Sequence, residues 1–340
     1  MSLRGPAITR CFFCSESDDM SSIKQRTKRV QPFAGELIQR TDCTPLLRQI
    51  RQNCKIHYGR HHWLSTKVYL DLIQLCGSFD AAMVLSHVVY WDGKGHYVPR
   101  DNEGEPLPDE HGNIQEYGLL LDFDVPGTTL GIPTRKFKKI VGGLADQHCI
   151  DRRAPLRWKP SPGSAANANW RVREGDWLVD LNWKKAIREA TQDDRPTIRM
   201  PWAFRAMITR EHESGKDWEN GNGAHLLLKL MMCHTQTKTG HWNCFYKHQG
   251  YTWAFNKREE WAKLLRISED QFDRLLPGLD DYLFQTQKGA RFSKVILLRP
   301  NLDNIQKRWN SWGQQYRAYL CGESQEPQND QITSHPGRET

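Results

Sequence analysis

The sequence predicts an α+β fold, mainly helical, in which one unit occurs twice between a flexible N-terminal arm and a flexible C-terminal tail. Segments 130–146 and 265–281 align without gaps and lie about 135 residues apart. The same order of helix, loop, helix-turn-helix and paired strands surrounds both segments. An internal repeat of this kind determines the domain organisation, so it comes before any single motif.

The two aligned segments share an apolar pattern. Each has apolar residues at positions i, i+3, i+4 and i+7, the spacing of one helix face. The first set is Phe137, Ile140, Val141 and Leu144, and the second is Phe272, Leu275, Leu276 and Leu279. Ser268 and Gln271 predict a capping box at the second helix. In the first helix, Pro133 predicts an early helical position and Thr134 a cap.

The elements around these helices define the units. Residues 63–190 and 191–320 each predict an entry segment, a helix, a helix-turn-helix and a β-hairpin. This order is that of a winged helix, in which the second helix of the helix-turn-helix usually reads DNA and the hairpin is the wing. Residues 1–35 predict a flexible basic arm, residues 36–62 a helical lead-in, and residues 321–340 a disordered tail.

Composition restricts the classes of function. The 340 residues have a formal net charge of +8, which favours an anionic partner. No run approaches ~18 apolar residues, so no membrane span is expected. The N-terminus lacks the apolar region of a secretory signal, and nine cysteines at irregular spacing do not indicate a disulfide framework. These features predict a cytoplasmic, nucleoid-associated protein.

The basic residues concentrate on the predicted reading helix and wing of the first unit. Residues 131–175 contain ten basic and three acidic residues, whereas residues 266–300 contain six and five. The basic residues expected to bind DNA are Arg135, Lys136, Lys138, Lys139, Arg152, Arg153, Arg157, Lys159, Arg171 and Arg173. Arginine can bind guanine edges and lysine neutralises phosphate. Arg135 and Lys136 are expected near base edges, and Lys138 and Lys139 near phosphates.

The second unit is expected to have a different role. Asp270 and Asp273 occupy the places of Arg135 and Lys138 and would repel phosphates. We expect this unit to contact a host replication or transcription protein, or a second copy of the chain in a homodimer. Aromatic anchors for that contact are Trp242, Trp253, Trp309 and Trp312. Any DNA contact in this unit is assigned to its wing, through Lys288, Arg291 and Lys294.

The evidence for enzymatic or metal chemistry in the sequence is weaker. Cys11 and Cys14 have the spacing of a zinc pair, but a structural zinc site needs four ligands. His57 and His61 are predicted to share a helix face. Asp122 and Asp124 lack the third acid that a metal-dependent nuclease needs. No phosphate-binding loop or other catalytic motif occurs, so we expect no catalytic residue, no metal and no cofactor, with a nuclease as the less favoured alternative.

Two stretches carry a family resemblance. "FDAAMVLSHVVYW" followed by "LGIPTRKFKKIVGGLADQHCIDRR" resembles the winged-helix region of phage and plasmid replication proteins. The region from about 63 to 310 resembles the tandem winged-helix initiators of plasmid replication. This resemblance implies sequence-specific binding of double-stranded DNA without nucleotide chemistry. The acidic second helix departs from the family, in which both units contact origin repeats. A winged-helix transcription regulator or adaptor is the alternative.

Overall fold

The computed structural model is an α+β protein with small antiparallel sheets. It describes residues 39–58, 60–92, 105–106, 108, 111–114, 118–123, 127–153, 177–208, 220–236, 246–288 and 295–321. The predicted arm, and the tail beyond residue 321, lie outside these residues. The described helices include none that is long and apolar enough to cross a membrane.

The lead-in is only partly helical. Helix α1 (Thr44–Asn53) buries Leu46, Leu47 and Ile50, as its helical spacing predicts. Strands β1 (Lys55–Tyr58) and β2 (Arg60–Trp63) then form an antiparallel hairpin. The prediction of a helix through residue 62 is therefore wrong after Cys54. Aromatic and β-branched residues in this stretch favour extended backbone.

The first repeated unit combines helices with a three-stranded sheet. Its elements are β3 (Ser65–Tyr69), α2 (Leu72–Cys76), α3 (Phe79–Asp92), β4 (Leu119–Leu121), α4 (Thr134–Asp146), β5 (Ile150–Arg153), β6 (Trp177–Leu181) and α5 (Lys185–Ala190). The strands β4, β6 and β5 lie side by side in that order, all antiparallel. The hairpin therefore follows α4 directly and pairs back onto the strand that precedes it.

The second unit has a similar order of elements. Its elements are β7 (Thr197–Pro201), α6 (Trp202–Met207), α7 (Asn220–Cys233), β8 (Tyr246–His248), β9 (Tyr251–Lys257), α8 (Arg258–Leu265), α9 (Glu269–Leu275), a 3₁₀ turn (Leu276–Leu279), β10 (Leu283–Lys288), β11 (Val295–Pro300), α10 (Leu302–Arg308), a π-helical turn (Trp309–Gly313) and α11 (Gln314–Leu320). Compared with the first unit, β8, α8 and α11 are additional. The sheet order is β8, β9, β11, β10. Its last three strands correspond to β4, β6 and β5.

The turns before α4 and α9 differ in the way their sequences suggest. Helix α8 precedes α9, whereas the corresponding residues 127–132 form turns, consistent with the interruption at Gly127. The capping box of Ser268 and Gln271 is confirmed. The cap assigned to Thr134 is wrong, because Pro133 occupies the N-cap position and Thr134 is the first helical residue.

The two units are joined by strand pairing and by buried helix contacts. Strands β3 and β7 pair antiparallel over their full length. Where α3 meets α7, the backbone N–H of Phe79 donates to Asn222 Oδ1 at 3.3 Å. One continuous core runs through both units. The orientation of α4 relative to the second unit is therefore fixed by packing.

The largest buried side chains include tryptophans that were expected at the surface. Trp309 is fully buried and Trp312 is buried, so both belong to the core and not to an interface. Their predicted role as surface anchors is wrong. Trp253 is also buried, on the side of its sheet that faces away from the common core. Trp242 lies outside the described residues.

Three histidines with lowered pKa values couple the stability of the fold to pH, and burial lowers the pKa of one of them, His87, to about 4. His225 stacks on Phe79 with 4.7 Å between ring centroids, and neither of its ring nitrogens has a hydrogen-bond partner among the described residues. Burial, aided by nearby Lys229, holds the pKa of His225 well below its usual value. Burial also lowers the pKa of His234, against the effect of its backbone hydrogen bonds.

We expect the free energy of unfolding to fall by about 2–4 kcal/mol between pH 7.5 and pH 5.5, from His87, His225 and His234 together. Below its pKa near 6.5, each histidine takes up a proton in the unfolded chain but not in the fold. The stabilisation is therefore complete above that pKa and is lost as the pH falls toward the folded value. Urea unfolding at both pH values measures it. His225→Leu should remove about 1 kcal/mol of this pH dependence, whereas pH-independent stability of the wild type would contradict the assignment.

Candidate nucleic-acid interface

Helix α4 presents two basic side chains to solvent, and its buried stripe determines which two. Phe137, Val141 and Leu144 point into the core. Arg135 and Lys139 are exposed. Because they are four positions apart, they are neighbours on one helix face. This pair is the part of the predicted DNA-binding set that the structure leaves openly accessible on the helix.

Lys136 is occupied by an internal ion pair. Its Nζ lies 3.0 Å from Asp80 Oδ2, and its side chain is 18% exposed. Asp80 also accepts two hydrogen bonds from Arg205, from Nη2 at 2.7 Å and from Nε at 3.1 Å. Arg205 Nη1 donates to the carbonyl oxygen of Gly131 at 2.6 Å. The Lys136 ammonium is thus tied to the joint between the units, which differs from the predicted contact with base edges.

Asp80 remains charged although it is buried. Burial alone would raise its pKa, but the adjacent charges of Arg205 and Lys136 and their hydrogen bonds lower it. The side chains of Asp80 and Arg205 are 1% and 0% exposed. Two cations around one carboxylate leave the group net positive. This cluster connects α3, α4 and α6, so it positions α4.

Lys138 and Arg152 lie against aromatic rings beside the helix. Lys138 Nζ is 4.4 Å from the centre of the Phe123 ring and 5.8 Å from that of Trp177. The Arg152 guanidinium carbon lies 4.6 Å from the centre of the Trp177 ring. Cations over ring faces are held without losing their charge. These two residues therefore extend the basic surface of α4 onto the sheet.

The β5–β6 hairpin places further predicted residues next to this surface. Arg152 pairs with Val179 and Arg153 with Leu178 in the register of the two strands. Arg152 is exposed at the surface. The remaining members of the predicted set lie outside the described residues, namely Arg157, Lys159, Arg171 and Arg173.

The acidic residues of α9 surround one arginine. Arg258, at the start of α8, lies within ion-pair distance of three carboxylates: Glu269 at 3.4 Å, Asp270 at 3.1 Å and Asp273 at 2.8 Å. Each of these side chains is substantially exposed, so each ion pair contributes little to stability. One cation against three carboxylates leaves the face net negative. The corresponding faces of α4 and α9 therefore keep opposite charge in the structure.

The metal hypotheses gain no support. His57 and His61 face each other as partners on two paired strands, so the prediction that they share a helix face is wrong. Among the described residues, no group of three or more metal-ligating side chains comes together. Cys11 and Cys14 lie outside those residues, and so does Asp124.

Sequence reasoning missed three residues that shape this surface. Asp80 is the single acid in "FDAAMVL" and Arg205 the single cation in "WAFRAMI", both apolar helices. A lone charge in an apolar helix needs a partner, and this signal could have paired them. Trp177 had no comparable signal, because its contacts with Lys138 and Arg152 depend on the fold.

Comparisons with models of known families, with curated proteins and with solved structures gave no match to this chain.

Proposed function

We propose that the chain is a sequence-specific binding protein for double-stranded DNA, built of two winged-helix units of which the first reads the duplex. The order of elements and the strand order β4, β6, β5 support a winged helix in the first unit. The strand order β9, β11, β10 supports the same for the second. A winged helix reads DNA with a helix in the major groove and a hairpin beside it.

The accessible basic pair on α4 carries this proposal. Arg135 and Lys139 are exposed on one face, with Lys138 and Arg152 on the aromatic residues next to them. In our proposal Arg135 contacts a base edge and the three other cations contact phosphates. Lys136 is assigned to positioning α4, because Asp80 holds its ammonium.

The test is binding to a duplex selected from random sequence, followed by fluorescence anisotropy. We expect Arg135→Glu with Lys139→Glu to weaken binding about 10- to 100-fold, because one base contact and one phosphate contact are lost. If the wild type neutralises ~6 phosphates, its affinity should fall about 10³-fold between 50 and 200 mM salt.

The matched control is Lys263→Glu with Lys307→Glu, which changes the charge equally on exposed positions of the second unit. This variant should keep most of the duplex affinity. An equal loss in both double variants would show binding by overall charge alone. If no duplex sequence is enriched in the selection, the proposal of sequence-specific DNA binding is wrong.

Within this class we propose replication initiation for a plasmid, phage or integrated element as the role. The support is the tandem arrangement, in which one joint holds the basic face of α4 and the acidic face of α9 in a single fold. Sequencing the DNA recovered with the protein from cells tests the role. An array of repeats at an origin agrees with it, and isolated promoter sites would assign a transcription regulator instead.

A further inference from the structure

The second unit has an aromatic sheet face that the duplex-binding proposal does not use. Strand residues alternate between the two faces of a sheet. On β9, Ala254 faces the common core, whereas Tyr251, Trp253 and Phe255 share the opposite face. Trp253 and Leu297 are buried but do not belong to the common core. This outer face therefore has its own packed layer.

Arg299 lies at the centre of this face among three rings. Its guanidinium carbon is 4.0 Å from the ring centre of Tyr251, 4.3 Å from that of Phe284 and 5.3 Å from that of Trp253. Its Nε is buried and has no hydrogen-bond partner among the described residues. Among the described residues, no carboxylate forms an ion pair with Arg299. Arg299 as a whole is partly exposed, so its terminal guanidinium nitrogens are the donors that an external acceptor would bind.

The surface around Arg299 combines ring faces with positive charge. Phe284 is 41% exposed, and Tyr246, Tyr251 and Phe255 are partly exposed. The four strands β8 to β11, as the structure bounds them, contain Lys247, Lys257, Lys288 and Arg299 but no aspartate or glutamate. An occupant of this face should therefore be negatively charged and should offer flat groups that stack.

We propose that this sheet face binds single-stranded nucleic acid, with bases stacked on Phe284 and Tyr251 and with a phosphate or base acceptor bound by Arg299. Phe284 and Tyr251 lie on β10 and β9, on either side of β11, and their ring centres are 4.3 Å and 4.0 Å from the same guanidinium carbon of Arg299. Bases stacked on the two rings would therefore both lie next to that cation. Stacking platforms in basic grooves are the general mode of single-strand binding. Paired bases in a duplex cannot offer these faces.

Other occupants fit the face less well. In a symmetric dimer the same patch would meet itself and bring Arg299 close to a second basic patch. An acidic protein would satisfy the guanidinium but would leave the exposed rings with no stacking partner. Single-strand binding is thus our proposed role for the second unit, in place of the protein contact expected from the sequence. It does not depend on duplex binding by α4.

The experiment measures binding of the full chain to labelled dT20 and rU20 and, separately, to the selected duplex. We expect Phe284→Ala and Arg299→Gln each to weaken single-strand binding about 5-fold or more, the effect of losing one stacked base. Duplex binding should remain unchanged. Tyr90→Ala is the control, because Tyr90 is a comparably exposed aromatic, 48%, on α3 of the first unit.

The reverse variant separates this proposal from the previous one. Arg135→Glu with Lys139→Glu should reduce duplex binding and leave single-strand binding intact. No binding of the wild type to either oligonucleotide would overturn the proposal, and so would wild-type affinity in both sheet variants. A concentration-dependent dimer that Phe284→Ala dissociates, measured by sedimentation, would assign the face to a second copy. Thermal unfolding curves show whether each variant is folded.

Discussion

Replacing Asp80 by alanine is expected to lower the free energy of unfolding by about 3–5 kcal/mol, because it removes the buried carboxylate that both Arg205 and Lys136 contact. Arg205 is 0% exposed and has Asp80 as its carboxylate, with both oxygens within hydrogen-bond distance. Arg205 also donates from Nη1 to the backbone carbonyl of Gly131. Asp80 is therefore a buried charged residue whose contacts link the first unit to the second.

Urea unfolding of Asp80→Ala and Asp80→Asn measures this loss. The asparagine variant keeps the shape and removes the charge, so it separates electrostatics from packing. Glu189→Ala is the control, since its ion pair with Lys185 is exposed and should be worth less than about 1 kcal/mol. A loss below about 1 kcal/mol in both Asp80 variants would show that the cluster does not stabilise the joint.

The charged state of Asp80 also gives the effect a pH dependence. Its pKa is lowered in the fold, so its contribution is complete above the unfolded value near 3.9. The contribution is lost as the pH falls through the lower folded value. This acid effect begins below about pH 4, whereas the histidine effect begins near pH 6.5. The two effects can therefore be separated by pH.

Two local features on which the predicted repeat depends are confirmed in the structure. The stripe of Phe137, Val141 and Leu144 is buried as the helical spacing predicts. The capping box at Ser268 marks the start of α9 at the right residue. Both signals depend on neighbours within one or two helical turns, so they can be recognised from the sequence without knowledge of the fold.

The features that the sequence does not show depend on distant residues. Lys136 has the same local pattern as Lys139, but Asp80, far away in the chain, binds only the first of them. The hairpin over residues 55–63 forms by pairing of two strands. The helical spacing up to Cys54 does not predict this pairing. Asp270 and Asp273 were recognised as acidic, but their common partner Arg258 lies on another helix.

The second large loss of stability is expected from a substitution in the turn that leads into α4. We expect Gly131→Ala to lower the free energy of unfolding by about 2–5 kcal/mol, from backbone strain and steric overlap together. Gly131 has a φ of +76°, which favours glycine, and an added Cβ would overlap the carbonyl oxygen of Trp202 in α6. The carbonyl of Gly131 also accepts from Arg205, so relaxing the overlap would disturb the Asp80 cluster.

Two glycines of the same unit separate these causes. Gly77 has a φ of +78° and open space around its Cβ position, so Gly77→Ala should show the strain alone, about 1 kcal/mol. Gly143 lies within α4 with nothing near its Cβ position, so Gly143→Ala should stabilise by about 0.5–1 kcal/mol. Urea unfolding of the three variants should therefore rank them as Gly131, Gly77 and Gly143, from the largest loss to a gain. If Gly131→Ala costs no more than Gly77→Ala, the close approach of the α4 turn to α6 is not a rigid part of the joint.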